Sequence, residues 1–499
     1  MDTSYNLPGA PVLVVGAGIM GLGIAQVAAQ AGHTVMLHDT RDGAALQARD
    51  RLAGTLDALV AKNRLSDSAA AQTLARVQPI ASLSAAGHAR LVIEAIVERL
   101  DDKRGLFKQL ETIVGAHCIL ATNTSSISVT TMASGLQHPG RLVGMHFFNP
   151  VPLMKLVEVV SGLQTDVAAA AAVYALSTIW GKQPVHARST PGFIVNRIAR
   201  PFYAEALGLL QERACTPEVI DQCLRAVGFR MGPCELMDLI GHDTNFAVTQ
   251  SVFEANFFDK RYTPSLLQRE MVDGGLLGRK SGRGFYDHAH AGARPPPASA
   301  PPAPPREPQE LRLHGQGSMA DHFAASLLQA GHRIDRVAGS DWMGLEVPSG
   351  ALRMTDGRTA SETGAEVAVF DLAFTLAPGA ALAWAPSLRA SAAWVQEAEQ
   401  WLHALGLQPL RVADVPGLVV ARTLAMLINE ASDAVHQGVC TVDGADAAMK
   451  LGVNYPAGPF EWLANWNPQA VIALLDALDA YYRGERYRVS PWLRQRAWR

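Results

Sequence analysis

The stretch that decides the fold is Pro11-Val-Leu-Val-Val-Gly-Ala-Gly-Ile-Met-Gly-Leu-Gly-Ile-Ala25. Its apolar, β-branched run from Val12 to Val15 predicts a buried parallel strand. Three glycines follow in the spacing G-x-G-x-x-G: Gly16, Gly18 and Gly21. In that pattern the first glycine makes a tight turn, the second lets the backbone approach a pyrophosphate, and the third lets the helix pack closely on the strand.

The residues after this motif indicate which dinucleotide is bound. A helix through Gln30 and a second apolar strand, Thr34 to Leu37, lead to Asp39, roughly 20 residues after the glycines. A carboxylate there accepts hydrogen bonds from the adenosine ribose and repels a 2′-phosphate, which favours NAD over NADP. Arg41 could accommodate such a phosphate, but we interpret it as a solvated loop charge.

The bulk composition excludes several classes of protein. A chain of 499 residues with a net charge of −3 gives no electrostatic case for binding nucleic acid or anionic membrane. The N-terminus lacks a basic-then-apolar leader, and the apolar run from Val167 to Trp180 is too short to span a bilayer. Five cysteines without a C-x-x-C pair predict reduced thiols in a cytoplasm, and no histidine spacing indicates a metal site.

Periodicity along the chain predicts an α/β protein with an internal duplication. Alternating strands and helices indicate a doubly wound Rossmann sheet with NAD bound in residues 1–188. Helical periodicity predicts an all-α domain for substrate binding or dimerisation over residues 189–288. A Pro/Ala linker follows at 289–310, expected to be an extended spacer. A degenerate Rossmann-like domain is predicted at 311–411, and a second helical domain at 412–499.

The duplication is visible in repeated segments. Pro191-Gly-Phe-Ile-Val-Asn-Arg197 recurs as Pro416-Gly-Leu-Val-Val-Ala-Arg422, and Glu205 corresponds to Glu430. Gly315-Gln-Gly-Ser-Met-Ala320 is a fainter copy of the glycine motif, with alanine where the third glycine should stand. We therefore expect the second half to have lost nucleotide binding and to have a structural role.

A histidine and an acid are predicted to meet beside the nucleotide crevice. The apolar segment Leu142 to Pro150 contains His146, and Glu158 lies within another apolar strand. An acid in such a strand is costly to bury unless it meets a partner. The turn Asn149-Pro-Val-Pro152 would bring the second strand back beside the first, so His146 can be that partner.

Such a pair suits the oxidation of an alcohol, in which the hydroxyl proton must leave as hydride departs. Imidazole can take that proton, and a carboxylate fixes its tautomer. Taken singly, each residue also has a plainer interpretation. His146 could be a core histidine and Glu158 an edge-strand acid facing water. The Ser125 hydroxyl could belong to a turn, and Asn196 could cap a helix.

Several segments together resemble the L-3-hydroxyacyl-CoA dehydrogenase family. They are Gly16–Gly21, Val92–Glu98, Asn123–Ser126, His146–Pro150, Met154–Glu158, Thr190–Arg197 and Gly284–Tyr286. Residues 311–499 resemble the second half that some bacterial members carry. The tail Tyr482-Arg-Gly-Glu-Arg-Tyr-Arg488 resembles the phenylacetate-degradation members, which implies 3-hydroxyadipyl-CoA as substrate. The alternative is 3-hydroxybutyryl-CoA, from fatty-acid or butanoate metabolism.

The resemblance implies oxidation of (S)-3-hydroxyacyl-CoA to 3-oxoacyl-CoA with NAD⁺. It implies His146 as the general base and Glu158 as its orienting partner, while Ser125 and Asn196 bond the reacting oxygen and help hold the thioester. Besides the three glycines, the NAD contacts that it implies are Asp39, Glu98, Lys103, Asn149 and Lys280. Thr55, where the family more often has serine, and Lys62 would lie on the CoA side.

The second half provides an internal comparison. Asn196 is matched by Ala421, and we expect neither a His-Phe-Phe-Asn-Pro segment nor a buried-acid strand between residues 311 and 412. One active site per chain is therefore predicted. Because helical domains pair across a dimer in this family, the chain would be a monomer with internal domain pairing or a homodimer.

Two other functions are weaker alternatives. A β-hydroxyacid dehydrogenase of the 6-phosphogluconate type would need a catalytic lysine in the helix after Pro191, where none stands. A catalytically silent NAD-binding structural protein would not need His146, Glu158 and Asn196. The glycine motif begins at Gly16, which leaves no room upstream for a fused enoyl-CoA hydratase, so a single activity is expected.

Overall fold

The computed structural model describes residues 5–289, 307–374 and 377–496. They form two compact units, one comprising Met1–Arg197 with Gln437–Val453 and the other Ile198–His436 with Asn454–Arg499. Most of the predicted Pro/Ala linker lies outside the described residues. Within the described ranges, no helix combines the length and apolar character needed to cross a membrane.

The first unit is built on an eight-stranded sheet in the order β3-β2-β1-β4-β5-β6-β7-β8. The strands are β1 (Val12–Val15), β2 (Val35–His38), β3 (Val77–Pro79), β4 (Leu91–Glu94), β5 (Ile119–Thr122), β6 (Leu142–Phe147), β7 (Leu156–Ser161) and β8 (Gln183–Arg188). Neighbouring strands are parallel except for the antiparallel pair β6–β7. The predicted doubly wound Rossmann sheet is confirmed, and its last strand, β8, ends at Arg188.

Helices cover this sheet because its strands are apolar on both faces. They are α1 (Ile19–Gln30), α2 (Ala44–Ala61), α3 (Asp67–Arg76), α4 (Leu100–Ile113), α5 (Val129–Ala133) and α6 (Val167–Ile179), followed by α7 (Val195–Ile198). β4 ends at Glu94, although its apolar character continues to Val97. The reason is local: the Ile96 N–H donates to the Glu94 carboxylate at 2.7 Å instead of to a neighbouring strand.

The second unit contains both helical segments and a second sheet. Its helices before the linker are α8 (Arg200–Gln211), α9 (Pro217–Ala226), α10 (Pro233–Ile240), α11 (His242–Ala255) and α12 (Leu266–Asp273). The seven-stranded sheet has the order β10-β9-β11-β12-β13-β14-β15. Its strands are β9 (Glu310–His314), β10 (Arg333–Val337), β11 (Gly344–Val347), β12 (Gly350–Met354), β13 (Val367–Phe370), β14 (Ala381–Pro386) and β15 (Gln408–Arg411).

The remaining helices are α13 (Ser318–Gln329), α14 (Ala360–Thr363), α15 (Ala392–Ala404), α16 (Val420–His436), α17 (Val442–Val453), α18 (Pro459–Trp466), α19 (Pro468–Tyr482) and α20 (Pro491–Arg496), of which α17 belongs to the first unit. Over the described residues, the second sheet has one strand fewer than the first. β11 runs antiparallel to β9, whereas β4 runs parallel to β1.

The two helical copies pair within the second unit through reciprocal contacts to two buried carboxylates. The carboxylate of Glu205 accepts hydrogen bonds from Arg486 at 3.0 Å and Tyr487 at 3.1 Å. The carboxylate of Glu430 accepts from Arg261 at 3.3 Å and Tyr262 at 2.6 Å. Every member of one set stands 225 positions from its counterpart in the other. The duplication predicted from sequence is therefore also a two-fold arrangement of side chains.

Candidate active site

The three glycines of the N-terminal motif have different structural roles. Gly16 has φ +107°, and a Cβ there would overlap the Ala95 carbonyl. A Cβ at Gly21 would overlap the Gly16 carbonyl oxygen, so this glycine permits helix α1 to pack on the loop. A Cβ at Gly18 would meet no described atom within 4 Å. Gly16 and Gly21 therefore build the fold, while Gly18 leaves open space for a ligand.

That space opens into a crevice of about 850 Å³ lined by the glycine loop, the end of β2 and the loop after β4. Asp39 lies on its wall, and its carboxylate accepts the Ala17 N–H at 2.8 Å. Burial by itself would raise the pKa of Asp39, but hydrogen bonds from the Arg41 side chain and from two backbone N–H groups outweigh it and lower this pKa to about 2. Asp39 is therefore a fixed anion at the position expected for the ribose-binding acid.

Arg41 is bound to Asp39 rather than simply solvated. Its Nε lies 3.1 Å from Oδ1 of Asp39, although 73% of its side chain is exposed. The guanidinium is therefore occupied by the acid that favours NAD. Together, the open loop and this acid form a crevice that fits an NAD molecule.

Glu98 organises the loop that contains Ser125. Its carboxylate accepts the Thr124 hydroxyl at 2.5 Å, the Ser125 N–H at 3.1 Å and the Ser126 hydroxyl at 3.0 Å. Burial acts to raise the pKa of Glu98, but the charge of Lys103 and these hydroxyl groups lower it overall. Glu98 is thus an anion that holds the loop at the carboxyl end of β5.

Lys103 is buried and lies between two carboxylates. Its ammonium is 2.6 Å from Oε1 of Glu94 and 3.1 Å from Oε2 of Glu98. Glu94, fully buried, also accepts the Thr122 hydroxyl at 2.7 Å. This network joins the ends of β4 and β5. The NAD contacts predicted for Glu98 and Lys103 remain predictions.

His146 and Glu158 face each other across the antiparallel strands β6 and β7, as the turn between them predicted. Nδ1 of His146 lies 2.6 Å from Oε2 of Glu158, and both side chains are buried. Because a carboxylate only accepts, Nδ1 donates to it, and Nε2 is left as the basic nitrogen. The rings of Phe148 and Phe193 pack beside the imidazole, with centroids 4.5 and 5.9 Å away.

The second oxygen of Glu158 holds the start of helix α7. It accepts the N–H groups of Ile194 at 3.1 Å and Val195 at 2.9 Å. The next residue, Asn196, is half-buried and follows directly on the Val195 that Glu158 holds. Glu158 is therefore a buried, fully bonded acid that connects His146 to the segment bearing Asn196.

The other predicted residues lie on loops and helix surfaces. Ser125 is half-buried in the loop after β5, and Asn149 is exposed in the turn after β6. Thr55 and Lys62 are exposed, seven positions apart on or just after α2, which places them on one helix face. Lys280 belongs to the second unit, where its ammonium pairs with Asp243. Their ligand contacts remain predictions.

The second half contains a buried acid directly after a strand, a position that the expectation of no buried-acid strand did not cover. Asp371, directly after β13, is fully buried and accepts the N–H groups of Val419, Val420 and Ala421 at 2.6–2.9 Å. Burial raises the pKa of Asp371 to about 6 against the lowering effect of these donors. The sequence search missed it because the acid follows its strand instead of lying within it.

Asp371 occupies the position in the second copy that corresponds to His146 in the first. Its N–H donates to the carbonyl of Ala383, which stands 225 positions after Glu158. Asp371 thus lies opposite the counterpart of Glu158, where the first copy has His146. In the part of the chain that the structure describes, no histidine is bonded to Asp371.

Sequence reasoning also missed Lys182, which holds the turn between the two strands of the His–Glu pair. Its ammonium is buried and donates to the carbonyl of Met154 at 2.8 Å and to that of Val151. Burial, together with the charge of Lys155, lowers the pKa of Lys182 to about 8. A lone lysine after a Gly at a helix end gave no signal of this contact.

Family models match the chain along most of its length. The NAD-binding domain of 3-hydroxyacyl-CoA dehydrogenase matches residues 11–190, and the C-terminal domain of that family matches 192–288 and 417–497. The reduced Rossmann-fold domain of 3-hydroxybutyryl-CoA dehydrogenase matches 352–416. The models therefore cover both copies, including the degenerate one.

Individual relatives agree with this assignment. A protein of Escherichia coli named 3-hydroxyadipyl-CoA dehydrogenase is 42% identical over 97% of both chains. A shorter Bacillus subtilis protein, a probable 3-hydroxybutyryl-CoA dehydrogenase, is 41% identical and matches 56% of this chain and 96% of its own length. A solved Escherichia coli structure titled 3-hydroxybutyryl-CoA dehydrogenase superposes with a TM-score of 0.87 over 99% of both chains, at 42% identity. This chain belongs to the 3-hydroxyacyl-CoA dehydrogenase family.

Proposed function

We propose that this protein oxidises (S)-3-hydroxyacyl-CoA to 3-oxoacyl-CoA and that 3-hydroxyadipyl-CoA is its substrate. The observation that carries the proposal is the buried hydrogen bond of 2.6 Å between His146 and Glu158. It supports a general base whose tautomer is fixed, in a chain of a family with an NAD-binding domain.

In the proposed reaction, Nε2 of His146 takes the proton of the substrate hydroxyl. Glu158 keeps the Nδ1 proton in place and stabilises the imidazolium that forms, because its carboxylate is fixed by Ile194 and Val195. Ser125 and Asn196 would bond the reacting oxygen. NAD⁺, held by the glycine loop and Asp39, would supply the hydride acceptor. A positioned base of this kind is typically worth about 10²–10⁴ in rate.

The test of these roles is the His146→Gln variant. Its kcat for 3-hydroxyacyl-CoA should fall about 10²–10⁴-fold, while NADH, followed by its fluorescence, binds as to the unmodified enzyme. Unchanged turnover in the folded variant would refute the assignment of His146 as base.

The choice of 3-hydroxyadipyl-CoA is supported by the name of the Escherichia coli relative, which matches this chain over nearly its whole length. The shorter relatives carry the name 3-hydroxybutyryl-CoA dehydrogenase. Steady-state kinetics with both substrates decide between the two. We expect a higher kcat/KM for 3-hydroxyadipyl-CoA; a higher value for 3-hydroxybutyryl-CoA would select the alternative.

We also propose that the internal pairing of helical domains replaces a dimer, so that the protein is an active monomer in the cytoplasm. The reciprocal Glu205 and Glu430 clusters support the pairing, and the five free thiols support a reducing compartment. Light scattering during gel filtration should give the mass of one chain with full activity. A dimer that loses activity on dilution would contradict the proposal.

A further inference from the structure

One segment of the second half belongs to the compact unit that holds the candidate active site. Residues Gln437–Val453 cluster with Met1–Arg197 rather than with the rest of their own copy. Helix α17 within this segment packs on strands β7 and β8. The N–H of Arg188, at the end of β8, donates to the carbonyl of Val439 at 2.9 Å. The strand that bears Glu158 is therefore covered by the second half.

The helix packs tightly at Gly452, near the end of α17. A Cβ at this buried residue would lie 2.7 Å from Cδ2 of Leu156, 3.0 Å from Cγ2 of Val195 and 3.6 Å from Cε1 of Phe148. Ordinary van der Waals contact begins at about 3.5 Å. The absence of a side chain at position 452 is thus what allows helix and strand to approach this closely.

These neighbours are the immediate surroundings of the His–Glu pair. The Val195 N–H donates to Glu158 at 2.9 Å, and the Phe148 ring lies 4.5 Å from the imidazole of His146. Leu156 is on β7, two positions before Glu158. Displacing them would move the acid, the base, or both.

A second contact lies beside Asn196. Nη1 of Arg197 donates to Oε1 of Gln437 at 2.8 Å, and the arginine is buried. Gln437 and Gly452, at the two ends of the segment, thus fix the chain on either side of the residue proposed to bond the reacting oxygen.

The second unit has the same arrangement without the chemistry. There the N–H of Ala413 donates to the carbonyl of Ala214 at 2.9 Å, and α9 packs on β14. Ala413 stands 225 positions after Arg188, and Val439 stands 225 positions after Ala214, so the two hydrogen bonds correspond. Each Rossmann-like sheet is therefore covered by a helix of the other copy, and the His146–Glu158 pair lies in the first sheet.

We propose that segment 437–453 is a positioning element for catalysis, with Gly452 and Gln437 as positioning residues. The inference rests on the proposed roles of His146, Glu158 and Asn196. It gives the second half, in which Ala320 replaces the third glycine of the motif, a role in the reaction. The physical reason is that catalytic groups must be held within about 0.5 Å of their productive geometry, and a misplacement of about 1 Å can cost 10²-fold in rate.

The test is a graded series, Gly452→Ala and Gly452→Val, with Gly444→Ala as the matched control. Gly444 lies on the same helix, and the described atoms within 4 Å of a Cβ there belong to Thr441 and Cys440, not to the Rossmann sheet. We expect kcat to fall about 3–10-fold for the alanine and about 100-fold for the valine variant. The fluorescence-derived affinity for NADH should stay within about twofold, because the glycine loop is not touched.

Three results would overturn the inference: a folded Gly452→Val enzyme with unchanged kcat, an equal loss of kcat in the Gly444→Ala control, or a loss of NADH affinity parallel to that of kcat. If the valine variant does not fold, Gln437→Leu decides. It should lower kcat severalfold at constant NADH affinity, and unchanged kcat would count against the proposal. The His146→Gln variant is assayed in the same experiment. Its activity tests the proposed function, whereas the Gly452 and Gln437 variants test the role of the segment.

Discussion

Replacing Glu158 by glutamine is the sharpest perturbation of the His–Glu pair, because it changes one atom without changing shape. Oε1 of Glu158 accepts two backbone N–H groups, and Oε2 accepts Nδ1–H of His146. A glutamine has only one carbonyl oxygen. Its NH₂ group must therefore face either the two backbone N–H groups or the Nδ1–H of His146, all of which are donors. Keeping the oxygen on the two backbone groups satisfies more donors, and the NH₂ then faces Nδ1.

In that orientation the imidazole must accept at Nδ1 and carry its proton on Nε2. It can no longer take a proton from the substrate, which is the whole contribution of a general base. Loss of the correct tautomer costs about 10³–10⁴ in kcat, or about 4–5.5 kcal/mol of transition-state stabilisation. The stability cost is smaller: one hydrogen bond to a charged group is worth about 1.5–3 kcal/mol.

The assay is NADH formation at saturating substrate, with thermal unfolding measured in parallel. The control is Asp371→Asn, which alters an equally buried carboxylate that holds a chain segment through backbone N–H groups. We expect Asp371→Asn to lower the melting temperature and to leave kcat within about threefold. The reasoning would be refuted if kcat of the Glu158→Gln enzyme stayed within tenfold of that of the unmodified enzyme. It would also be refuted if Asp371→Asn lowered kcat as much as Glu158→Gln does.

Three further predictions concern the crevice and its supports. Gly18→Val should keep the melting temperature and weaken NADH binding at least about tenfold, whereas Gly21→Ala should destabilise the fold itself, because only the latter meets backbone; equal melting temperatures would contradict this. Asp39→Ser should weaken NADH binding and raise the relative affinity for NADPH, measured by fluorescence titration; an unchanged ratio would mean that Asp39 does not select NAD. Burial lowers the pKa of Lys182 from 10.5 to about 8, so the unfolded chain binds this proton more tightly and stability from Lys182 should rise between these pH values. The melting temperature of the unmodified enzyme should therefore rise relative to that of Lys182→Met from pH 8 to 10, and parallel curves would contradict the assignment.

The parts of the fold that the sequence predicts are those decided by neighbouring residues. Strand β1 begins and ends where its apolar run does. The meeting of His146 with Glu158 was also a local problem, because a short turn joins their strands and fixes which residues face each other. The crevice likewise follows from one glycine motif and an acid at the end of the next strand.

Contacts between distant segments could not be predicted in this way. Gln437 bonds to Arg197 across 240 positions, and nothing in the periodicity of α17 tells which sheet it covers. Lys182 resembles any lysine near a helix end until the turn that it holds is known. Such residues are selected by packing geometry, which depends on the assembled fold and not on local composition.

Comparison with Asp371 separates the structural contacts of Glu158 from its contact with His146. Both carboxylates hold the N–H groups of the segment that follows Pro-Gly, at residues 194–195 in one copy and 419–421 in the other. That segment therefore needs an acid whether or not catalysis occurs. In the second copy the acid stands at the register position of the histidine and reaches the backbone directly. In the first copy the acid, Glu158, lies on the neighbouring strand, and its second oxygen accepts the hydrogen bond of the imidazole. The two copies thus differ in the strand that bears the carboxylate, and His146 occupies in the first copy the register position that Asp371 occupies in the second.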